Sequence, residues 1–499
     1  MSNILAAGSS TVWGLLEMRA QERPTGLALV DGDRRVDYAT LLEMSDRVAA
    51  DLAARGVVRG DRVAVLSENR LEYPLIQLAC AKLGAMVACL NWRLVVPELE
   101  WCIDLVNPRL VIASTRYFDL ARQAGPSYAL APIDAMGCEG VTVNRAEPED
   151  GFTIIYTSGT TGRPKAAVIS HRAQIARMCA FRIDLGLELK DGYISWAPMF
   201  HMGGSEHLIS TLLVGGTTII MDGFDADRII DTLEEFPIGW LMTVPATTEL
   251  LVARLRARRP AIEGVRTVGA MADMVPTSLI DEVTQLLDAP FLNSFGATET
   301  GMPPLSSDVI QPGAMPRSLS KKLSILTELR LVGPDGEDVP EGEIGEAWVK
   351  GPTLFSGYWN ADDVNRDCFN GGWFHMGDLF RRGPDGYDFV SRSKYLIKSG
   401  GENIYPAEIE RVLLSDPRVA DAIVVRRADD HWGEVPVAVI ARVDDSLDEV
   451  AVTELCCAQL AGYKRPKGVV FVSLEEFPRS ASGKIVREDI EKLVETRNN

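Results

Sequence analysis

The sequence predicts an α/β protein: a large N-terminal domain of mixed sheets flanked by helices, with a small β-rich subdomain, followed by a small α+β C-terminal domain. Three observations carry that expectation. From residue 27 onward the apolar residues switch repeatedly between strand and helix periods, as they do where the two kinds of element alternate. After about residue 323 the pattern becomes strand and turn, punctuated by Gly333, Gly336, Gly342, Gly345 and Gly351. Beyond a polar stretch at 391–393 a further mixed pattern begins, which sets the expected domains at 1–391 and 392–499.

Residues 27–36, with Asp31-Gly32 at their centre, read as a hairpin, and Leu41, Leu42, Ser45, Val48 and Leu52 then share one helical face that stops at Gly56. A strand at 62–66 follows Gly60-Asp61, a helix at 72–83 closes on Gly84, and another strand runs from 86 to 90. Strands are expected at 110–113, 153–156, 217–221 and 240–243, with an acidic helix at 225–235. Such alternation implies parallel or mixed sheets covered on both faces. The C-terminal stretch offers a helix at 406–414, strands at 422–425 and 437–443, a helix at 450–460 and a strand at 469–472.

Composition narrows the function. At roughly 150 residues per domain, 499 residues allow one large and one small domain with ample core. The chain carries 51 Lys plus Arg against 70 Asp plus Glu, a net charge of −19, which repels phosphate backbones and anionic lipid and argues against nucleic-acid and membrane partners. Its 8 cysteines, two of them adjacent at Cys456 and Cys457, have neither disulfide-framework nor C-x-x-C spacing, so reduced thiols are expected. Of the 5 histidines only His201 and His207 are close in sequence, without the helical spacing of a zinc site. No basic residue precedes Arg19 and no apolar run reaches membrane-spanning length, so a cytoplasmic protein is expected.

The strongest chemical signal is Ile154-Ile155-Tyr156-Thr157-Ser158-Gly159-Thr160-Thr161-Gly162-Arg163-Pro164-Lys165. A strand runs into hydroxyls and glycines and then a lysine, a cradle for anionic oxygens. It is not a Walker A loop, which would require glycine where Pro164 stands.

This segment resembles the phosphate-binding signature of the AMP-forming adenylating enzymes, the superfamily of acyl-CoA synthetases, nonribosomal-peptide adenylation domains and firefly luciferase. The resemblance runs along nearly the whole chain in order. Asp37-Tyr38-Ala39-Thr40-Leu41, Gly60-Asp61-Arg62-Val63-Ala64 and Leu90-Asn91-Trp92-Arg93-Leu94 match early landmarks. Pro198-Met199-Phe200-His201 is similar to the acyl-pocket entrance, and Asn293-Ser294-Phe295-Gly296-Ala297-Thr298-Glu299 to the adenine and magnesium motif. Trp373-Phe374-His375-Met376-Gly377-Asp378, Ser399-Gly400-Gly401-Glu402-Asn403-Ile404-Tyr405-Pro406 and Pro478-Arg479-Ser480-Ala481-Ser482-Gly483-Lys484 complete the series.

The resemblance implies two half-reactions with ATP, Mg2+ and CoA: a carboxylate attacks the ATP α-phosphorus, then a thiol takes the acyl group from the adenylate. It implies that Thr157, Ser158, Gly159, Thr160, Thr161, Gly162 and Lys165 hold phosphates, that Ser294, Phe295, Gly296 and Ala297 line the adenine, and that Thr298 reaches the α-phosphate. Glu299 would hold Mg2+, Asp378 the ribose hydroxyls, and Arg392 the ribose and phosphate. Read alone, Asp378 is a turn residue. Lys484 would be the adenylation lysine, carried on a mobile C-terminal domain hinged at Lys394, and Gly401 would border the pantetheine tunnel. For Lys464, Arg465 and Lys467 a CoA-contacting or interdomain role stands beside that of solvated charge.

The acid is expected near His201, which would serve catalysis as well as binding, with Met202, Gly203, Met242, Val244, Gly269, Ala270, Met271, Gly296 and Met302, an apolar and roomy set. No aspartate stands where amino-acid-activating relatives bind an α-amine. The expected substrate is therefore a hydrophobic acid: aryl, fatty or polycyclic. Met376, Tyr395, the stretch Pro312-Gly313-Ala314-Met315-Pro316-Arg317-Ser318, the insert-like 320–327 and Ala270-Met271-Ala272-Asp273-Met274 depart from the usual pattern, most of them on the acid side. Beside the acid:CoA ligase stand an adenylation-only or carrier-protein-loading enzyme, a nucleotide-binding sensor and a luciferase-like oxygenase. A homodimer is compatible with the sequence.

Overall fold

The computed structural model describes residues 9–157, 163–314, 316, 318–399, 402–429, 431–479 and 485–497. The chain divides into two compact units, residues 1–329 with 349–374 and residues 330–348 with 375–499.

The larger unit is built on two mixed sheets. One has six strands in the order Leu130–Pro132, Leu110–Ala113, Arg62–Leu66, Met86–Cys89, Gly151–Thr157 and Lys165–Ser170, parallel except for the last. The other has eight: Val309–Ile310, Phe291–Leu292, Val265–Val268, Ile238–Leu241, Gly192–Ser195, Thr218–Ile220, Leu27–Asp31 and Arg34–Asp37, antiparallel only at its two edges. The parallel strands read as continuous apolar runs because both faces are covered. Leu110–Ala113 and Ile238–Leu241 are buried at every position. The helix Glu72–Leu83 is apolar nearly all round, and all its residues after Glu72 are buried. Its Lys82 is tolerated there because Nζ meets the Asp46 carboxylate and lies 4.7 Å from the Trp13 ring centroid.

The smaller unit contains a hairpin of Val419–Asp429 and Gly433–Arg442, flanked by Ile397–Ser399 with Glu402–Ile404 on one side and carrying the parallel Val469–Val472. Alternation sorts its two faces: Val424, Ala438 and Ile440 pack with Ile409 and Leu413, whereas Ile423, Val425, Val437 and Val439 pack with Ile490 and Val494. Both hairpin strands are longer than their apolar centres suggest.

Asp378 differs from its turn reading. It lies within the strand Trp373–Gly383, where Phe374, Met376, Asp378 and Phe380 alternate as the buried set. The alternation continues through Gly377, at φ +70, and up to a register irregularity between Leu379 and Phe380. Among the described residues no helix is long and apolar enough to cross a membrane.

Candidate functional site

In open α/β sheets, ligand sites collect beyond the carboxyl ends of parallel strands. Thr157 ends such a strand and pairs with Lys165, so the two described ends of the segment expected to hold phosphates lie side by side. Ser158, Gly159, Thr160, Thr161 and Gly162 lie outside the described residues. The outgoing stem is anchored by Trp101, whose indole N–H donates to the Pro164 carbonyl at 3.1 Å while the Arg163 guanidinium covers its ring at 4.4 Å. Lys165 Nζ lies 5.1 Å from the Tyr358 ring centroid.

Thr298 and Glu299 occupy the turn between the antiparallel strands Phe295–Ala297 and Gly301–Leu305. Position 296 must be glycine, since a Cβ there would sit 2.1 Å from the Gly301 carbonyl oxygen. The turn is held by three hydrogen bonds from other elements, given by Arg177, Phe355 and Tyr358. Buried Arg177 donates from Nη2 to the Thr298 carbonyl at 3.1 Å, from Nε to the Thr353 carbonyl at 2.8 Å, and from Nη1 to the buried Glu206 carboxylate at 2.7 Å. The Phe355 N–H donates to the Glu299 carbonyl at 2.8 Å, and the Tyr358 hydroxyl donates to Glu299 Oε1 at 2.6 Å. Glu299 is thus a half-buried carboxylate with fixed backbone and one oxygen engaged. Sequence reasoning missed Arg177, Glu206 and Tyr358 because they come from distant elements with no motif spacing.

The acid-site candidates follow the parallel strand ends of the eight-stranded sheet. Met242 and Val244 come after Ile238–Leu241 and Gly269 to Met271 after Val265–Val268, while Ser294, expected at the adenine, follows Phe291–Leu292. Met202, Met242 and Ala270 are half-buried and pack against the core holding Phe200, Trp240 and Met302. Met242 Sδ lies so near Gly203 that a Cβ at 203 would be 2.9 Å from it. The Trp240 indole donates to the Gly269 carbonyl at 2.7 Å, and the Ser294 N–H to the Ala270 carbonyl at 3.4 Å. His201 precedes the helix Met202–Val214, its ring 4.5 Å from that of Phe200. Phe295 is buried, and Val244 is 43 % exposed at the start of the helix Pro245–Arg258. His207, enclosed by Phe181, Tyr193 and Trp240, has its pKa pushed down to about 3 by burial and then by Arg177.

Asp273, in the same wall, is joined to fully buried Lys321, whose ammonium also donates to Asn293 Oδ1 at 2.8 Å. Asn293 in turn donates to the carbonyls of Leu319 and Ser320, both at 3.1 Å. This cluster ties the unusual segment around 320 to the 270–274 wall and to the start of the adenine motif.

In the smaller unit, Asp378 pairs across two strands with Arg392, whose Nε lies 2.9 Å from Asp378 Oδ1. The carboxylate is nearly buried and the arginine half-exposed. Glu346 Oε1 accepts the Gly377 N–H at 3.0 Å and so fixes the turn of backbone beside Asp378. Lys394 Nζ pairs with Glu488 at 2.9 Å. Burial lowers the Lys394 pKa, but its contacts with Tyr395 and Glu488 outweigh this and raise it overall. Glu408 binds Lys464 Nζ at 2.6 Å, so that lysine is engaged within its own unit. Gly400, Gly401 and Lys484 lie outside the described residues.

The chain matches the family described as AMP-binding enzyme over residues 16–359, and the AMP-binding enzyme C-terminal domain over residues 408–484. It is 35% identical to an indoleacetate–CoA ligase of Aromatoleum aromaticum, covering 96% of this chain and 97% of the relative. It is 32% identical to a 2-succinylbenzoate–CoA ligase of Bacillus licheniformis, covering 95% and 98%. The fold superposes on o-succinylbenzoate CoA synthetase of Bacillus subtilis in complex with its acyl-adenylate intermediate at a TM-score of 0.86 and 27% identity, over 97% of this chain and 98% of that one. The same synthetase in complex with ATP and magnesium gives 0.86 and 27%, over 96% and 99%.

Proposed function

The chain belongs to the AMP-binding enzyme family and is an AMP-forming acid:CoA ligase, and from that premise we propose that it activates a hydrophobic carboxylic acid lacking an α-amine, an aryl acid foremost. One observation carries the reading. The residues expected around the acid, Met202, Gly203, Met242, Gly269, Ala270 and Met302, are apolar, and the carboxylate in the same wall, Asp273, is already ion-paired with buried Lys321 rather than left to receive an ammonium. The indoleacetate and 2-succinylbenzoate relatives, whose acids carry aromatic rings, support it.

In the first half-reaction an acid carboxylate oxygen bonds to the ATP α-phosphorus and the bond to pyrophosphate breaks. In the second, the CoA sulfur bonds to the acyl carbon, the bond to AMP oxygen breaks, and the thiol proton passes to solvent. Neither step needs an enzyme nucleophile; positioning and charge compensation supply the rate. The phosphate loop with Lys165 holds the β- and γ-phosphates, Thr298 the α-phosphate, Phe295 the adenine, and Asp378 with Arg392 the ribose. His201 lies at the acid entrance. The donor set fits Mg2+, since one fixed carboxylate, Glu299, suits an ion that keeps several waters and substrate phosphate oxygens. When bound, the ion neutralises charge building on the phosphates. Lys484 bridges the carboxylate and α-phosphate, and the 392–499 domain, turning at Lys394, then withdraws it and presents Gly401 for thiol entry.

ATP-dependent pyrophosphate release across aryl, fatty, polycyclic and α-amino acids, run with and without CoA and with product masses recorded, tests this. The expected product is the acyl-CoA of a hydrophobic acid. Activation of an α-amino acid overturns the substrate reading, and an acyl adenylate that CoA never consumes would mark a carrier-loading or adenylation-only enzyme.

A further inference from the structure

Tyr358 occupies a place that the reaction as described does not use. Its hydroxyl donates to Glu299 Oε1 at 2.6 Å, and its ring face lies 5.1 Å from Lys165 Nζ. One side chain therefore touches both the carboxylate assigned to the metal and the lysine assigned to the phosphates. Its position is set by backbone. The Tyr358 N–H donates to Asn365 Oδ1 at 2.7 Å, and its carbonyl accepts from Asn365 Nδ2 at 2.8 Å. Tyr358 forms a bridge with Ala167, while the Val168 N–H donates to the Gly357 carbonyl at 3.0 Å and the Trp359 N–H to the Ala166 carbonyl at 2.8 Å. The ring also meets Phe355 edge-on at 4.9 Å, and Phe355 supplies the N–H that holds the Glu299 carbonyl. The segment 356–359 is thus bound to the strand that begins at Lys165, and its tyrosine reaches across to the Thr298–Glu299 turn.

A lysine and a glutamate this close to a common neighbour attract each other, and a direct pair would occupy both groups before substrate arrives. A tyrosine between them gives each a weaker partner: the cation rests on the ring face, and the carboxylate accepts from a neutral hydroxyl. We infer that Tyr358 is the positioning residue that keeps Lys165 and Glu299 apart and aimed, one at phosphate oxygens and the other, through its second oxygen, at the divalent ion that accompanies them. This rests on the reading of Glu299 and Lys165 given above. Such an arrangement is fixed before binding and requires no reorganisation when the nucleotide arrives.

The two contacts separate by mutation. Tyr358→Phe keeps the ring and removes the hydroxyl; Tyr358→Leu removes both. Calorimetric titration of ATP with Mg2+ and of ATP in EDTA, on full-length protein without acid or CoA, reads the effect independently of turnover. The wild type is expected to bind MgATP more tightly than metal-free ATP. In Tyr358→Phe that preference should shrink about tenfold, the size of one hydrogen bond to a charged group, with metal-free ATP affinity held within about twofold. In Tyr358→Leu metal-free ATP affinity should itself fall about threefold or more as Lys165 loses its platform. A Tyr358→Phe protein with the wild-type preference and an unchanged unfolding midpoint overturns the proposal. A wild type that binds ATP equally with and without Mg2+ refutes the metal role of Glu299, and that of Tyr358 with it.

Discussion

Arg177 and Glu206 are buried charges of the larger unit, 1% and 3% exposed. Taking both from water is costly, and their attraction offsets this only while each keeps its partners. Arg177 has a second task, since it donates to the carbonyls of Thr298 and Thr353. Arg177→Met is therefore expected to lower unfolding free energy by roughly 3–5 kcal/mol, because Glu206 is left buried and unpaired. Arg177→Met combined with Glu206→Leu should recover most of that loss in urea titrations. ATP binding should stay weakened in the double variant, since the Thr298 turn still lacks its donor. A double variant no more stable than the single one would show that the pair is not the source of the loss.

At the scale of elements, the helices His171–Leu185 and Met202–Val214 each bury a histidine that is neutral at physiological pH. Burial pushes the His171 pKa down to about 4, against a small opposing effect of Asp150, and that of His207 to about 3. Unfolded, both titrate near 6.5, so below that pH the unfolded chain binds protons that the folded one refuses. The stability they contribute is complete above about pH 6.5 and falls as pH drops toward 4 and then 3, by up to roughly 1.4 kcal/mol per pH unit for each group. Urea unfolding at pH 7.5 and pH 5 should show this loss, and His207→Leu should make it shallower; a flat profile would contradict it. The elements themselves were mostly legible. Apolar runs at 62–66 and 110–113 and the Gly84 stop located strands and a helix end to the residue. Strand length was less so, because 419–429 and 433–442 extend by backbone pairing into polar residues that carry no apolar period. Asp378 was hidden for a related reason: it is a charged residue at a buried position of the alternation, and the glycine before it reads as a turn.

At the scale of the molecule, the motif residues announced the nucleotide chemistry because each lies in a short contiguous signature. Tyr358, Arg177 and Lys321 carry no such signature, and their roles come from contacts with residues 28 to 176 positions away. The acid pocket falls between these cases. The residue types proposed for it indicated apolar character, whereas the pairing of Asp273 with Lys321 required the fold. Two half-reactions on one chain require that groups be exchanged between them, a task proposed for the 392–499 domain. Gly401→Leu should accordingly block thioesterification while acid-dependent pyrophosphate exchange survives. The most direct test is Lys484→Ala with the two half-reactions measured separately, adenylation by pyrophosphate exchange and thioesterification from a supplied acyl adenylate. Adenylation should fall by about a hundredfold or more, as expected when a charged transition-state contact is removed, with thioesterification largely intact. Equal loss in both halves would contradict the division of labour on which the account rests.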